Sequence, residues 1–134
     1  MKNLAILILL VFAGSSCGVS KATTQPAIEL IEFGGGGGFA GTVSKYILKA
    51  DGQLTKSQGG AMTLIKRLSN DSTREVFKKA LEFVTYNYNN PDNVYSFINI
   101  KTKDVENHIV WGLGSNKIDQ NLVSLFTELM ALCK

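Results

Sequence analysis

Histidine and cysteine, two residue types that often act in catalysis and metal binding, are scarce in this chain. His108 is the single imidazole, and the two cysteines, Cys17 and Cys133, stand near opposite ends of the sequence. Acid–base or nucleophilic catalysis would need His108 beside a hydroxyl, thiol or carboxylate, and Asp104 and Glu106 are its nearest acidic neighbours in sequence. A metal site would need a larger cluster of His, Cys or carboxylate ligands. We therefore expect His108 to be a solvated strand residue, and we expect no catalytic residue, metal or other cofactor.

A glycine-rich segment at 34–41, with the sequence GGGGGFAG, is the second candidate for chemistry. A P-loop would have Lys and then Ser or Thr after its last glycine, whereas Thr42 and Val43 follow here. A dinucleotide-binding loop must open a helix that receives the pyrophosphate, whereas this segment leads into a predicted strand. A kinase-type glycine pattern also matches formally, but the chain lacks the catalytic Asp and metal ligands of a kinase. The segment therefore does not predict phosphate binding.

Two interpretations of the glycine segment stay open. The first is a flexible or bulged connection that interrupts the first strand, because glycine reaches positive φ and allows close backbone approach. The second is a loop that presents residues to a protein partner. The residues presented would be Gly37, Gly38, Phe39, Ala40 and Gly41. An exposed Phe39 would favour the second interpretation.

The first residues predict a secretion signal. Lys2 precedes an apolar run at 4–13, and small residues at 14–16 precede Cys17. A helix of ten residues rises about 15 Å, which is half the thickness of a bilayer core and too short to span it. The order Gly-Ser-Ser-Cys resembles a bacterial lipoprotein signal, in which the cysteine is diacylated, although Gly14 stands where the strict motif has Leu.

We expect residues 1–16 to be a signal peptide, Cys17 to carry a lipid that anchors the protein to a membrane of the bacterial cell envelope, and residues 17–26 to be a tether. Ordinary cleavage near Ser15 stays open, which would leave a soluble periplasmic or secreted protein. In that case Cys17 could pair with Cys133, because an exported protein meets an oxidising compartment. Otherwise Cys133 is expected to be a small apolar residue of the last helix.

Composition limits the remainder to one globular domain at 27–134. The chain has 134 residues, of which 45% are hydrophobic and 19% charged, and its formal net charge is +3. A domain of this size can bury one modest core. Basic residues do not cluster beyond pairs such as Lys66-Arg67, so we expect no nucleic-acid partner.

Hydrophobic periodicity predicts five strands and two helices. The predicted strands are 28–33, 42–49, 53–57, 94–102 and 108–113. Asp51-Gly52 indicates a two-residue hairpin, and the segment 59–68 stays undecided between a strand and a helical turn. A charged turn is predicted at 103–107.

The first helix is predicted to begin near Asp71, with Ser72 and Glu75 as a capping box, and to run to Asn89-Asn90-Pro91. Asp119 is the predicted N-cap of the second helix. The predicted fold class is α+β, with an antiparallel sheet built from two hairpin units and two helices packed on one face.

The turn at 37–41, with Tyr46 in the strand after it and Asp51-Gly52 at the end of that strand, resembles a family of small uncharacterised bacterial lipoproteins. The segments 93–97 and 108–112, the second with Trp111, extend this resemblance to the C-terminus. It implies a lipid-anchored envelope protein and carries no activity with it. The Gly-Gly-Phe-Ala-Gly turn is also distantly similar to emfourin-type proteins, which inhibit thermolysin-like metalloproteases.

The expected function is that of a non-catalytic binding module. A secreted protein resembling a protease inhibitor is the first alternative, and a small hydrolase that brings His108 to a carboxylate or hydroxyl in a pocket is the second. A purely structural role is the third. The pairs Tyr86-Tyr88 and Tyr95-Phe97 could line a sugar- or peptide-binding surface, although such aromatics more often pack a sheet against helices, and Trp111 is expected in the core.

Overall fold

The computed structural model describes residues 26–134. The predicted signal peptide, Cys17 and nearly all of the tether lie outside the described residues. The elements in chain order are β1 Ile28–Gly37, β2 Thr42–Lys49, β3 Gln53–Gln58, β4 Ala61–Arg67, α1 Asn70–Ala80, β5 Asn89–Asn90, β6 Val94–Thr102, β7 Glu106–Gly112 and α2 Gln120–Ala131. No helix in the described region is both long and apolar enough to cross a bilayer.

The strands form one sheet in the order β4-β3-β2-β1-β6-β7-β5. Every pair is antiparallel except β5 with β7. The α+β class is therefore confirmed, with a seven-stranded, mostly antiparallel sheet and two helices. The segment that the sequence left undecided is β4, which Gly59 and Gly60 join to β3 through a two-residue turn at φ 58° and 86°.

One face of the sheet shares a core with both helices. On that face Phe33 of β1 stacks on Tyr46 with ring centroids 5.6 Å apart. Trp111 is buried and meets the ring of Phe126 edge-on at 5.1 Å, so the expectation that Trp111 lies in the core is confirmed. Each such large side chain contributes about 1.5–3 kcal/mol when fully buried. The fully buried residues of this core include Ile31, Phe33, Leu48, Leu54, Ile98, Ile100, Ile109, Leu122 and Leu129.

The start of α1 differs from the predicted capping box. Ser69 is the N-cap, and its Oγ accepts a hydrogen bond of 3.2 Å from the backbone N–H of Ser72. The predicted cap at Ser72 with Glu75 is therefore wrong, because Ser69 is the residue in extended conformation, with φ −65° and ψ 157°. The predicted cap of α2 is confirmed, since Asp119 Oδ1 accepts from the N–H of Asn121 at 2.8 Å.

The first helix also ends earlier than predicted. α1 stops at Ala80 and a short 3-10 turn, Leu81–Phe83, follows it. Asn107 Nδ2 on β7 donates to the carbonyl oxygens of Phe83 at 2.8 Å and Tyr86 at 2.7 Å. A side chain 21 residues away from Tyr86 thus satisfies the carbonyls that a longer helix would have bonded internally.

Two predicted strand connections are also corrected. Three residues, Ala50 to Gly52, connect β2 and β3, and Gly52 at φ 83° donates its N–H to the Lys49 carbonyl at 2.9 Å. Gly52 is thus the left-handed third residue of a longer loop, rather than part of a two-residue hairpin. β7 begins at Glu106, inside the predicted charged turn, because Glu106 pairs with Lys101 across the ladder. It ends at Gly112, one residue before the predicted end.

Candidate functional site

The glycines of β1 belong to the sheet. Gly34–Gly37 pair with β2 on one side and with β6 on the other, so the predicted interruption of the strand is wrong. A Cβ at Gly37, where φ is 96°, would collide with the carbonyl oxygen of Asn93. A Cβ at Gly35 would lie 2.8 Å from the carbonyl oxygen of Tyr95. The missing side chains therefore let both neighbouring strands approach β1 closely.

A tight turn, Gly38 to Gly41, joins β1 to β2. The N–H of Gly41 donates to the Gly38 carbonyl at 3.1 Å, and the N–H of Gly38 donates to the Asn93 carbonyl at 2.9 Å. Gly38 at φ 76° and Gly41 at φ 59° occupy the left-handed region that glycine tolerates best. Backbone hydrogen bonds to the sheet thus hold the turn in place.

Phe39 projects from this turn into solvent. Its relative exposure is 111%, the highest of any large hydrophobic residue in the described region. The exposure of Phe39 is the observation that the loop-presentation hypothesis required. Ala40 beside it is exposed as well.

Three further exposed apolar side chains lie at this end of the sheet. Val43 is opposite Gly36, Val94 is opposite Gly37, and the N–H of Leu113 donates to the Val94 carbonyl at 3.1 Å. We call Phe39, Val43, Val94 and Leu113 the Phe39 patch. It holds four of the seven exposed large hydrophobic residues of residues 26–134, with Val43 on one face of the sheet and Val94 on the other.

Sequence reasoning missed the other members of the patch. Val43 and Val94 were assigned to strands and Leu113 to a strand end, but their placement at one end of the sheet depends on the pairing of β1 with β2 and β6 and of β6 with β7. The one local signal was the position of Leu113 between Gly112 and Gly114, because glycines have no side chains that could cover an apolar neighbour.

Charge is sparse in the three segments that carry the patch. Asp92 is the only ionisable acidic or basic residue among 38–43, 91–95 and 112–116, apart from the phenol of Tyr95. Its Oδ1 accepts the N–H of Asn93 at 2.8 Å, which fixes the carboxylate. A polar groove of about 400 Å³ runs beside the patch. Its lining residues are Asn90, Pro91, Asp92, Gly112, Leu113, Gly114 and Ser115.

His108 lies away from the patch and is exposed on β7, as expected. Its ring centroid is 5.9 Å from that of Phe97, and no hydrogen bond joins it to a carboxylate or hydroxyl of the described residues. Glu106 instead accepts from Asn99 Nδ2 at 2.9 Å, and Asp104 lies in the turn between β6 and β7. Within residues 26–134 no group of three or more His, Cys, Asp or Glu is placed to hold a metal ion.

The two aromatic pairs have different surroundings. Tyr86 and Tyr88 stack at 6.4 Å, and both hydroxyls have partners: Tyr86 Oη accepts from the N–H of Asp119 at 3.2 Å, and the Tyr88 and Ser115 hydroxyls share a bond of 2.6 Å. Both rings also pack against the hydrophobic core, so this pair has a structural role. Tyr95 and Phe97 lie on the sheet face that the helices leave uncovered, where the Tyr95 ring crosses Gly36.

Cys133 lies just beyond α2 and is partly buried. Burial raises the pKa of its thiol above the usual value, and the charge of nearby Lys66 opposes this only in part. Its Sγ is 3.5 Å from the Leu129 carbonyl, to which it donates. Pairing of Cys133 with Cys17 falls outside the described residues.

No model of a known protein family matches this chain, and no curated protein matches it either. The geometry of the Phe39 patch is therefore the main guide to function.

Proposed function

We propose that this protein is an exported, lipid-anchored envelope protein that acts as a non-catalytic binding module and contacts a protein partner through the Phe39 patch. The observation that supports this proposal most strongly is the fully exposed Phe39 on a turn fixed by the sheet. An aromatic side chain in solvent gains about 1.5–3 kcal/mol when a partner buries it. Central aromatic anchors of this kind carry much of the energy of protein interfaces.

The turn is already organised for binding. Its hydrogen bonds to Asn93 and within Gly38 to Gly41 fix the backbone before any partner arrives. A fixed loop loses less conformational entropy on association than a mobile one. Val43 and Val94 lie on opposite faces of the sheet, because they pair with consecutive residues of β1. A partner that takes up Phe39 can therefore contact an apolar side chain on either side of this end of the sheet.

The position of the patch suits a lipid on Cys17. β1 has ten residues and spans roughly 30 Å, with Ile28 at one end and the Phe39 turn at the other. An anchor before Ile28 would hold the domain by the end opposite the patch and leave Phe39 free. No basic residue occurs among 38–43, 91–95 and 112–116, where Asp92 adds a negative charge, and this favours a protein pocket over the anionic surface of a membrane.

A secreted protease inhibitor remains the second candidate. A projecting, rigid turn with one exposed aromatic residue is a shape that can enter the cleft of an enzyme, and this chain has such a turn at Phe39. The hydrolase alternative has no comparable support, because His108 stands apart from the carboxylates and hydroxyls of the described residues. The prediction of two hairpin units stays a prediction, since the first half of the sheet contains four consecutive strands.

The proposal is tested with the full-length chain carrying a C-terminal tag. The mass of the mature N-terminus shows whether Cys17 is diacylated. Proteins that co-purify are then compared between wild type, Phe39→Ala and Val105→Ala. Val105 is a matched control because it is an exposed apolar residue in the turn at the opposite end of the sheet.

A diacylated Cys17 and a partner lost with Phe39→Ala, but kept with Val105→Ala, are the expected results. An N-terminus without lipid would contradict the anchor. Equal recovery of every co-purifying protein with wild type and Phe39→Ala would contradict the binding role of the patch. Inhibition of a metalloprotease by wild type alone would support the inhibitor alternative.

A further inference from the structure

The two edges of the sheet are protected to different degrees. β5 forms one edge with two residues, Asn89–Asn90, and Pro91 follows directly. Very short strands and prolines prevent another chain from adding to an edge. β4 forms the other edge with seven residues, Ala61–Arg67, and pairs only with β3 among the described strands.

On β4, the features that hinder the addition of another strand are confined to its second half. A register shift sets Ile65 out of the regular ladder, and Lys66 and Arg67 follow it. Bulges and basic residues are devices that discourage edge pairing. The first half, from Ala61 to Leu64, has neither and is exposed throughout.

The first half of β4 is also apolar on one side. Met62 is opposite Ser57 and Leu64 is opposite Thr55, which places both side chains on the sheet face that the helices leave uncovered. Met62 is 54% exposed and Leu64 is 60% exposed. Thr63 between them is opposite Lys56 and points to the other face.

We propose that a second copy of this chain adds to β4 by antiparallel pairing about Thr63. In this register Thr63 is opposite the partner's Thr63, and Met62 is opposite the partner's Leu64. Directly opposite residues of an antiparallel pair lie on the same face, so the two exposed apolar side chains of each copy cover those of the other. The contact is isologous, as expected for a twofold dimer.

The same register also keeps the basic residues of the two copies apart. Lys66 and Arg67 are placed opposite the partner's Gly60 and the partner's Gly59, so no like charges face each other. Arg67 already has Asp51, whose Oδ2 is 3.6 Å from its Nη1, and Lys66 donates to the Lys134 carbonyl at 3.2 Å. A parallel pairing would instead set Lys66 against the partner's Lys66. The strand is therefore self-complementary in one orientation, which favours a second copy over an unrelated segment.

Native mass spectrometry of the full-length chain tests this proposal across a range of concentrations. We expect a dimer that forms at least tenfold less readily when Met62→Lys and Leu64→Lys are combined, because each new lysine faces a lysine of the partner. Val105→Lys combined with Thr85→Lys adds the same charge at exposed positions away from β4 and from the Phe39 patch, and it should leave the dimer unchanged. The fluorescence of buried Trp111 checks that each variant is folded.

A cysteine at the centre of the contact tests the register. With Cys133→Ser in every protein, Thr63→Cys should give a disulfide-linked dimer on mild oxidation, whereas exposed Thr85→Cys should not. A monomer at every concentration would overturn the proposal. A dimer that survives the paired lysines, or that Thr63→Cys does not link, would overturn it as well. These outcomes are independent of Phe39, so the proposal does not depend on the proposed function.

Discussion

The two halves of β1 are paired on both sides by the same two strands, yet they serve different purposes. Ile31 and Phe33 in the first half are fully buried against the helices. Gly34–Gly37 in the second half contribute no side chains, and their neighbours instead approach the backbone. The first half therefore builds the core, whereas the second half builds a thin, rigid support for the Phe39 turn.

The comparison shows that a run of glycines can be part of a sheet, where it allows neighbouring strands to approach closely, rather than a flexible link. The backbone ladder continues through all four glycines. Stability and the proposed contact are thus separated along one strand, and substitutions in the two halves should have separable effects.

The largest expected effect is in the first half. Phe33→Ala should destabilise the domain by about 3–5 kcal/mol, because it removes a fully buried ring and leaves a cavity beside Tyr46. Denaturant unfolding monitored by Trp111 fluorescence measures this change. A loss below about 1 kcal/mol would mean that the core lies elsewhere.

The next effect distinguishes two glycines. Gly37→Ala should cost roughly 2–4 kcal/mol, since its Cβ meets the Asn93 carbonyl at a positive φ. Gly41→Ala should cost only about 1–2 kcal/mol, because its Cβ has open space and the penalty comes from φ alone. Unfolding curves of the two variants make the comparison, and equal losses would contradict the close approach of β6 to β1.

A smaller effect is expected in α1, which lies near the first half of β1, where Ile28 and Phe77 line one depression. Ser69→Ala should destabilise the domain by about 1 kcal/mol, because the first turn loses its cap. Glu75→Ala should change stability by less than about 0.5 kcal/mol, as an exposed residue outside the cap. Thermal unfolding of both variants gives the comparison. A larger loss of stability for Glu75→Ala than for Ser69→Ala would support the capping box at Ser72 instead.

The smallest effect on stability is expected at Phe39. Phe39→Ala should change the free energy of unfolding by less than about 0.5 kcal/mol, since the ring is fully exposed. The same variant is expected to lose its partner. A clearly destabilised Phe39→Ala protein would mean that the ring has a structural role in the turn.

Local patterns in the sequence predicted much of the fold. The strand segments 42–49 and 94–102 correspond to β2 and β6, and Asp119 caps α2 as expected. The strands were predicted from the periodicity of apolar residues, and the cap was predicted from a hydrogen bond between a side chain and the backbone two residues away. Such short-range signals are complete within a few residues.

The errors arose where distant residues decide the outcome. The apolar periodicity predicted a helix as far as Tyr88. α1 ends earlier, at Ala80, and Asn107 on β7 donates to the carbonyl oxygens of Phe83 and Tyr86 that follow it. The glycines suggested a break in β1, but strands β2 and β6 use them for close approach. Phe39 was a candidate from sequence, whereas Val94 and Leu113 joined it only through pairing across the sheet.

Photocrosslinking from position 39 tests the central claim most directly. A photoreactive phenylalanine analogue replaces Phe39 in the full-length chain, and the same analogue at Val105 serves as the control at the opposite end of the sheet. We expect irradiation in living cells to link a distinct protein to position 39 and not to position 105. Linkage to no protein, or to the same proteins from both positions, would contradict the claim that Phe39 is a binding contact.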